Sequence, residues 1–187
     1  MENVYYTGSG DDGQTSVGGK RVGKDDPLMD CMGNIDELIS TLGVLRSIVK
    51  EKNKRISGHI SELQDTLFSI NSEIAASIDR RFLPKKRVSQ TDLSYIEDMI
   101  KEIGNGIPKM TQFVLPGGNT ASGYADLCRA VCRRAERSYV FLSKSAVIED
   151  GRFSITERYL NRLSSCLFWI ARYLCFSEGE EELHPTG

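Results

Sequence analysis

Apolar side chains recur every three or four residues along several long segments of this 187-residue chain. That spacing is the period of an α-helix that buries one face, whereas a half-buried strand alternates apolar and polar side chains. The two clearest segments carry Ile35, Leu38, Leu42, Leu45 and Val49, and then Ile60, Leu63, Leu67, Ile70 and Ile74. A short polar turn at residues 52–55 separates them, so we predict two antiparallel helices packed against each other.

Signals for helix starts place the other helices. Asp26 and Pro27 supply an N-cap and a first-turn proline for the first helix. Ser89 with Asp92 approximates a capping box for a third helix, and Ser154 opens a fifth in the same way. The predicted third, fourth and fifth helices cover about residues 89–104, 119–143 and 155–176.

These segments predict an all-α fold, a single domain built as a five-helix bundle with ferritin-like up-and-down packing over residues 26–176. Residues 1–25 are glycine-rich and polar, which predicts a long N-terminal loop. Residues 177–187 are acidic and end in His-Pro-Thr-Gly, which predicts a mobile tail.

Composition excludes several classes of partner. The formal net charge is -2 with both signs interspersed, so we expect neither a nucleic acid nor a membrane as the main partner. The most apolar stretch, residues 167–176, is interrupted by Arg172 and is too short to cross a bilayer. The five cysteines form an odd set on predicted helices with no signal peptide ahead of them, which favours reduced thiols and a cytoplasmic location.

The N-terminal loop contains three glycines with the spacing of a dinucleotide fingerprint, Gly8, Gly10 and Gly13. That fingerprint requires a preceding strand and a following helix in a βαβ unit, and the sequence predicts none here. Glycines still let backbone N–H groups approach phosphate oxygens, so the loop is a candidate anion site. The other polar candidates are Thr7, Ser9, Thr15, Ser16, Lys20, Arg21 and Lys24. A flexible loop with solvated charges is the alternative.

The fourth helix carries Arg129, Arg133 and Arg137 at successive i, i+4 positions. Like charges at this spacing destabilise a helix, so we expect an anion or carboxylates beside them. The candidate carboxylates are Asp36, Glu37 and Glu136. A solvated helix face is the alternative, although the flanking residues are largely apolar.

Two further residues are ambiguous from sequence. Asn161 lies in an apolar helix and must be hydrogen-bonded if buried, either in a structural network or to a ligand. Phe113 precedes Pro116 in a loop and is by default a core aromatic.

Metal sites are not expected. Glu181 and His184 have the spacing of a di-iron ligand pair, but the second copy that such a site requires is absent. Cys128 and Cys132 lie one helical turn apart without histidine support, which favours packing over zinc binding.

Three blocks of this sequence together resemble the PduO-type ATP:cob(I)alamin adenosyltransferases. They are residues 6–16 continuing through 19–38, residues 113–118 with 129–137, and residues 159–164. The resemblance covers nearly the whole chain, from Tyr6 to about Phe176. It implies a five-helix bundle that assembles as a homotrimer, with ATP bound between neighbouring subunits.

The resemblance also implies roles for individual residues. The implied nucleotide-binding set is Thr7, Gly8, Ser9, Gly10, Thr15, Ser16, Lys24, Arg133, Arg134, Glu136, Arg137 and Asn161, to which we add Lys20 for its charge and position. Phe113 would press on the lower face of the corrin ring and help to remove the lower axial ligand from cobalt. The expected catalytic residues are Arg129, Arg133, Asp36 and Phe113.

The implied reaction is attack of cob(I)alamin on C5′ of ATP with release of triphosphate, so ATP, Mg²⁺ and cobalamin are the expected cofactors and substrates. An electron-donating reductase and a cobalamin-dependent acceptor enzyme are the expected further partners. Two residues depart from the family pattern, because Gly8 stands where a basic residue is frequent and Ser165 stands where Asp is frequent. The alternatives are a non-catalytic ATP-binding sensor on the same bundle and a helical nucleic-acid-binding protein that uses its arginine-rich segments.

Overall fold

The computed structural model describes residues 5–78, 83–144 and 153–186, with the side chains of residues 153 and 154 left out. Its five helices are α1 (Pro27–Val49), α2 (Lys54–Ile78), α3 (Gln90–Asn105), α4 (Thr120–Lys144) and α5 (Phe153–Ser177). The prediction of five helices with these approximate boundaries is confirmed. The proposed role of Ser154 in capping α5 lies outside the described residues.

The helical core follows the predicted apolar positions. Ile35, Leu38 and Leu42 of α1 are fully buried. Gln64 of α2 donates to the carbonyl of Ile39, and Asn71 donates to that of Met32, so α1 and α2 run antiparallel as predicted. The main helix contacts join α2 to α1, α1 to α4, α4 to α5 and α5 to α3. This order places α4 between α1 and α5.

The all-α prediction requires one correction, because residues 14–23 form a small antiparallel hairpin. Strand β1 (Gln14–Val17) pairs with β2 (Lys20–Gly23). Gly18 and Gly19 connect them with φ values of 56° and 82°. A two-residue turn with positive φ at both positions matches the right-handed twist of paired strands, and glycine adopts it without steric cost.

Capping residues set the helix starts that the sequence indicated. The Asp26 carboxylate accepts a hydrogen bond from the Leu28 amide at 2.8 Å. Ser89 and Asp92 form a complete capping box at the start of α3. In the described part of the chain, no helix is long and apolar enough to cross a membrane.

We predict that Ser89→Ala destabilises the fold by about 1 kcal/mol, because the side-chain acceptor at the start of α3 is lost. For a chain of this size that corresponds to a decrease in Tm of about 2–4 °C. Thermal unfolding followed by circular dichroism measures the change. Ser72→Ala is the control, since its hydroxyl donates to the Phe68 carbonyl of the same helix, and it should lower stability by less than about 0.5 kcal/mol. Equal losses in the two variants would contradict the capping role.

Candidate functional site

The N-terminal segment before the hairpin is ordered by two basic side chains. Arg21 donates to the Ser9 carbonyl at 2.6 Å and makes two hydrogen bonds of 2.8 Å to the Asp12 carboxylate. Lys24 donates to the Gly10 carbonyl at 2.7 Å. The backbone amide of Gln14 and the guanidinium of Arg21 lower the pKa of Asp12. Residues 7–13 are therefore folded against the open end of the hairpin.

Lys20 lies at the other end of the hairpin, next to the glycine turn. Its ammonium group donates to the Ile78 carbonyl in the last turn of α2 at 2.9 Å. The structure therefore separates Lys20 from the Ser9–Gly10 region, whereas it brings Lys24 to that region. Thr7 and Ser9 are close together, with their hydroxyl oxygens 2.9 Å apart.

The three arginines spaced four residues apart on α4, which we call the α4 stripe, have different surroundings. They are Arg129, Arg133 and Arg137. Arg133 and Arg137 are exposed, and neither has an ion pair within the described residues. Arg129 is half-buried, with its Nε atom 3.7 Å from Asp126. Arg134, which follows Arg133 directly but is not part of the stripe, donates to Asn34 at 3.0 Å and forms an ion pair with Glu37 of α1.

The predicted carboxylate partners of this stripe are distributed differently from our expectation. Glu37 is paired with Arg134, and Glu136 accepts a hydrogen bond from Asn161 at 2.9 Å. Asp36 is exposed on α1 and has no ion pair in the part of the chain that the structure describes. Leu127, which lies two turns before Arg134 on the same side of α4, is 49% exposed. This face of α4 is thus both cationic and partly apolar, and it is open in the single chain.

Asn161 is exposed on α5, so it is not the buried asparagine that the sequence suggested. Its amide is oriented from both sides. The nitrogen donates to Glu136, and the oxygen accepts from Arg162 at 3.0 Å. Arg162 in turn bonds to Glu97 of α3 at 3.2 Å. Asn161 therefore presents its side chain on the same outer surface as Glu136.

Phe113 is 86% exposed, so the default expectation of a core aromatic is wrong. Phe113 begins a short loop, residues 113–118, which we call the Phe113 loop. Gly117 and Gly118 at its end have φ values of 117° and 103°. Asn119 and Ser122 then exchange hydrogen bonds at the start of α4, with the Ser122 amide donating to Asn119 Oδ1 at 2.8 Å. Hydrogen bonds therefore fix the end of the loop at the start of α4, while the Phe113 side chain remains exposed to solvent.

The described part of the C-terminal tail, residues 178–186, runs beside this loop. The Leu115 amide donates to the Leu183 carbonyl at 2.7 Å, and His184 Nδ1 lies 2.8 Å from the Phe113 carbonyl oxygen. The mobility predicted for residues 177–187 stays a prediction, but the described tail has defined contacts.

A buried ion pair lies below the loop, and sequence reasoning did not identify it. Arg172 of α5 and Asp126 of α4 are 1% and 5% exposed, and their side chains are 2.7 Å apart. In the sequence alone, Arg172 stands out only as an interruption of an apolar stretch. A charged residue in the middle of a buried helical face was the available signal, because such a residue needs a charged partner.

The cysteines do not provide nucleophiles. All five are free and buried. Burial raises the pKa of Cys31 and of Cys166 to about 12 in each case. A reactive cysteine requires a lowered pKa, so these thiols fit the packing role. The described residues contain no group of three or more side chains suited to hold a metal ion.

Comparison with known proteins gives consistent matches over nearly the whole chain. Residues 5–174 match the family described as cobalamin adenosyltransferase. The human corrinoid adenosyltransferase MMAB is 34% identical over 181 residues, which cover 95% of this chain and 71% of the human protein. A corrinoid adenosyltransferase from Citrobacter freundii is 33% identical, with 89% of this chain and 92% of that protein covered.

A solved structure also matches closely. It is that of a variant PduO-type ATP:corrinoid adenosyltransferase from Lactobacillus reuteri complexed with cobalamin and ATP. It superposes with a TM-score of 0.87 at 28% identity and covers 97% of this chain and 96% of that chain.

We predict that Gly118→Ala destabilises the protein by about 2 kcal/mol or more, because alanine is strained at this φ. The added Cβ would also lie 2.7 Å from Cys175 Sγ. Denaturant unfolding measures the loss. Gly123→Ala is the control, since it lies within α4 and its Cβ would have only an ordinary contact at 3.8 Å. It should be neutral or stabilising by about 0.5–1 kcal/mol. A Gly118→Ala variant as stable as the control would contradict this account of the turn.

Proposed function

The chain belongs to the cobalamin adenosyltransferase family, and from this membership we propose that it transfers the 5′-deoxyadenosyl group of ATP to the cobalt of cob(I)alamin. The observation that carries the proposal is the family match over residues 5–174, which spans all three motif regions. The Lactobacillus reuteri relative, which was solved with cobalamin and ATP, supports the same pair of substrates.

In this reaction the nucleophile is the cobalt atom of the substrate and not a protein side chain. Cobalt(I) donates an electron pair to C5′ of ATP, a cobalt–carbon bond forms, and the C5′–oxygen bond breaks with its electron pair leaving on triphosphate. The protein then has two tasks, which are to orient C5′ toward cobalt and to stabilise the charge on the leaving triphosphate. Buried, protonated cysteines are compatible with this scheme, since it uses no protein nucleophile.

We assign the triphosphate to residues 7–10 with Thr15, Ser16 and Lys24, and to the α4 stripe. Lys24 beside Gly10 supports the first assignment, because an ammonium and glycine amides together suit phosphate oxygens. Arg133 and Arg137 support the second, because they are exposed cations without ion pairs in the described residues. Arg129, Arg134, Glu136 and Asn161 would complete the nucleotide surface, and Lys20 stays a prediction. Mg²⁺ would enter bound to the phosphate oxygens of ATP.

The site would be shared between subunits of a homotrimer. Among the described residues, residues 7–22 make their hydrogen bonds within residues 7–24, apart from the bond from Lys20 to α2, so little of this segment is held by its own helices. Arg133 and Arg137 of the α4 stripe are exposed, and Leu127, on the Arg134 side of the same helix, is exposed as well. A neighbouring subunit would cover this apolar and cationic face and bring its own Asp36 toward Arg133.

Phe113 is assigned to the lower face of the corrin ring. Its 86% exposure on a loop fixed at both ends supports contact with a large planar substrate. Displacement of the lower axial ligand would make the cobalt(II) precursor easier to reduce. A separate reductase would supply the electron, a cobalamin-dependent enzyme would accept the product, and we place the reaction in the cytoplasm.

The direct test is to mix the protein with MgATP and chemically reduced cobalamin. Formation of the cobalt–carbon bond is followed by corrin absorbance, and triphosphate is quantified in the same reaction. Stoichiometric adenosylcobalamin and triphosphate support the proposed activity. Binding of ATP without either product would instead support the non-catalytic sensor.

Phe113→Ala should reduce the reaction of cob(II)alamin under mild reductant at least tenfold, and that of chemically generated cob(I)alamin less than threefold. The reason is that its proposed role precedes reduction of cobalt. Comparison of the two initial rates measures the difference. Phe176→Ala is a control for loss of another exposed aromatic side chain, since Phe176 is 50% exposed at the end of α5. Equal losses of both reactions in Phe113→Ala would indicate a packing defect.

Asp36→Ala and Arg133→Ala should each be nearly inactive, because each removes one charge from every shared site. If the two variants are unfolded and reassembled together, some interfaces combine intact Asp36 of one chain with intact Arg133 of another, and part of the activity should return. Lys101→Ala on α3 is the control and should be fully active by itself, since its ion pair within the described residues is with nearby Asp98. Absence of recovered activity in well-formed mixed trimers would place both residues in a site within one chain.

A further inference from the structure

Asp126 and Arg172 form an ion pair that is almost completely removed from water. Their side chains are 5% and 1% exposed, and Arg172 Nη2 lies 2.7 Å from Asp126 Oδ2. The guanidinium also lies over the Phe168 ring at 5.4 Å from its centre. Removing two charges from water is costly, and replacing a buried ion pair by apolar residues of similar volume is often neutral or stabilising. Stability of the α4–α5 contact therefore does not require this ion pair, and its remaining contacts indicate another role.

Each member of the pair makes a second contact outside the helices. The Gly117 amide of the Phe113 loop donates to Asp126 Oδ2 at 3.3 Å. Arg172 Nε lies 3.4 Å from the Glu182 carboxylate of the tail. One carboxylate thus joins the loop to α4, and one guanidinium joins the tail to α5.

The loop and the tail are also joined to each other. The Leu115 amide donates to the Leu183 carbonyl, and His184 approaches the Phe113 carbonyl. A cavity of about 380 Å³ lies between residues 107–110 and the tail, with Arg172 among its lining residues. Since Phe113 itself is 86% exposed, apolar packing does not fix its position. The polar contacts above supply that restraint.

We propose that Asp126 and Arg172 are positioning residues that hold the Phe113 loop and residues 182–184 as one unit at the corrin-facing surface. The inference rests on the proposed function, because it assigns a purpose to the fixed position of Phe113. Without the pair, the Gly117 amide loses its Asp126 acceptor and the loop keeps the hydrogen bond from the Ser122 hydroxyl to the Gly117 carbonyl. Residues 182–184 lose their contact with Arg172 of α5, so Phe113 would contact the corrin less often.

The main variant is the double substitution Asp126→Leu with Arg172→Met, which removes both charges while keeping apolar volume in the core. The control is the double substitution Arg55→Met with Glu102→Leu, which removes an exposed ion pair between α2 and α3. Hydrogen exchange of the Leu115 amide reports on the loop–tail unit without any substrate. We expect its exchange rate to rise at least tenfold in the main variant and to be unchanged in the control.

The second readout is the electron paramagnetic resonance spectrum of cob(II)alamin bound with ATP, in which nitrogen coupling reports the lower axial ligand. The main variant should show at least tenfold less ligand-free cobalt(II). Because Asp126 also lies 3.7 Å from Arg129, the specificity check uses Glu182→Ala, which leaves that contact intact. In Glu182→Ala the ATP affinity should be unchanged and the cob(I)alamin reaction reduced less than threefold. Wild-type exchange and spectra in the folded main variant would overturn the proposal. Equal losses of ATP binding and of both reactions in Glu182→Ala would also overturn it, because they indicate general damage.

Glu182→Ala keeps the proposal testable if the main variant does not fold, because it leaves the buried pair intact and removes only the tail contact. It should change both readouts in the same direction by about threefold, and no change in either would overturn the tail half of the proposal. Failure of the proposed function can be distinguished from failure of the positioning role, since the wild-type protein would then form no adenosylcobalamin. The exchange of the Leu115 amide can be measured in either case.

Discussion

The position of α4 between α1 and α5 is the constraint on which the rest of the structure depends. Its buried face consists largely of small side chains, which allow close approach of both neighbouring helices: Ala121, Ala125, Cys128, Cys132 and Ala135. Because the helical period fixes the angle between residues, burial of this face turns Arg133 and Arg137 outward. The same packing aligns Asp126 with Arg172 of α5. The core and the candidate site are thus two faces of one helix.

Sequence reasoning identified what is periodic or local, and it failed where contacts join distant residues. The helices were predictable because apolar side chains recur over many turns, and the α3 capping box was predictable because Ser89 and Asp92 are three residues apart. The hairpin was missed because its strands are four residues long and lack a clear apolar alternation. The Asp126–Arg172 pair joins residues 46 positions apart, so the local pattern marks Arg172 as needing a partner but does not identify Asp126. The exposure of Phe113 depends on the course of a loop, which propensity does not determine.

The charges of the candidate site divide into two groups with different physical roles. Arg21, Arg134 and Arg162 are each bonded to carboxylates, and they orient the loop, α1 and Asn161. Arg133 and Arg137 have no such partner among the described residues, so their charge remains available to an anion. This distinction was not accessible from the sequence, where all these arginines have the same character. A single chain holds the supporting contacts, and the proposed assembly would bring the available charges to the nucleotide.

The buried cysteines have a consequence for the handling of a transition metal. Thiolates are soft ligands, and a thiolate close to a bound corrin would compete for the axial positions of cobalt. Burial raises the pKa of the five thiols, so they stay protonated at neutral pH. The sulfur atoms of Cys132 and Cys166 face neighbouring helices, whereas that of Cys175 faces carbonyl groups of the tail. A bundle built in this way uses sulfur as compact packing material while remaining chemically silent toward a metal substrate. Its chemistry toward cobalt is then set by the ligands that the substrate itself carries.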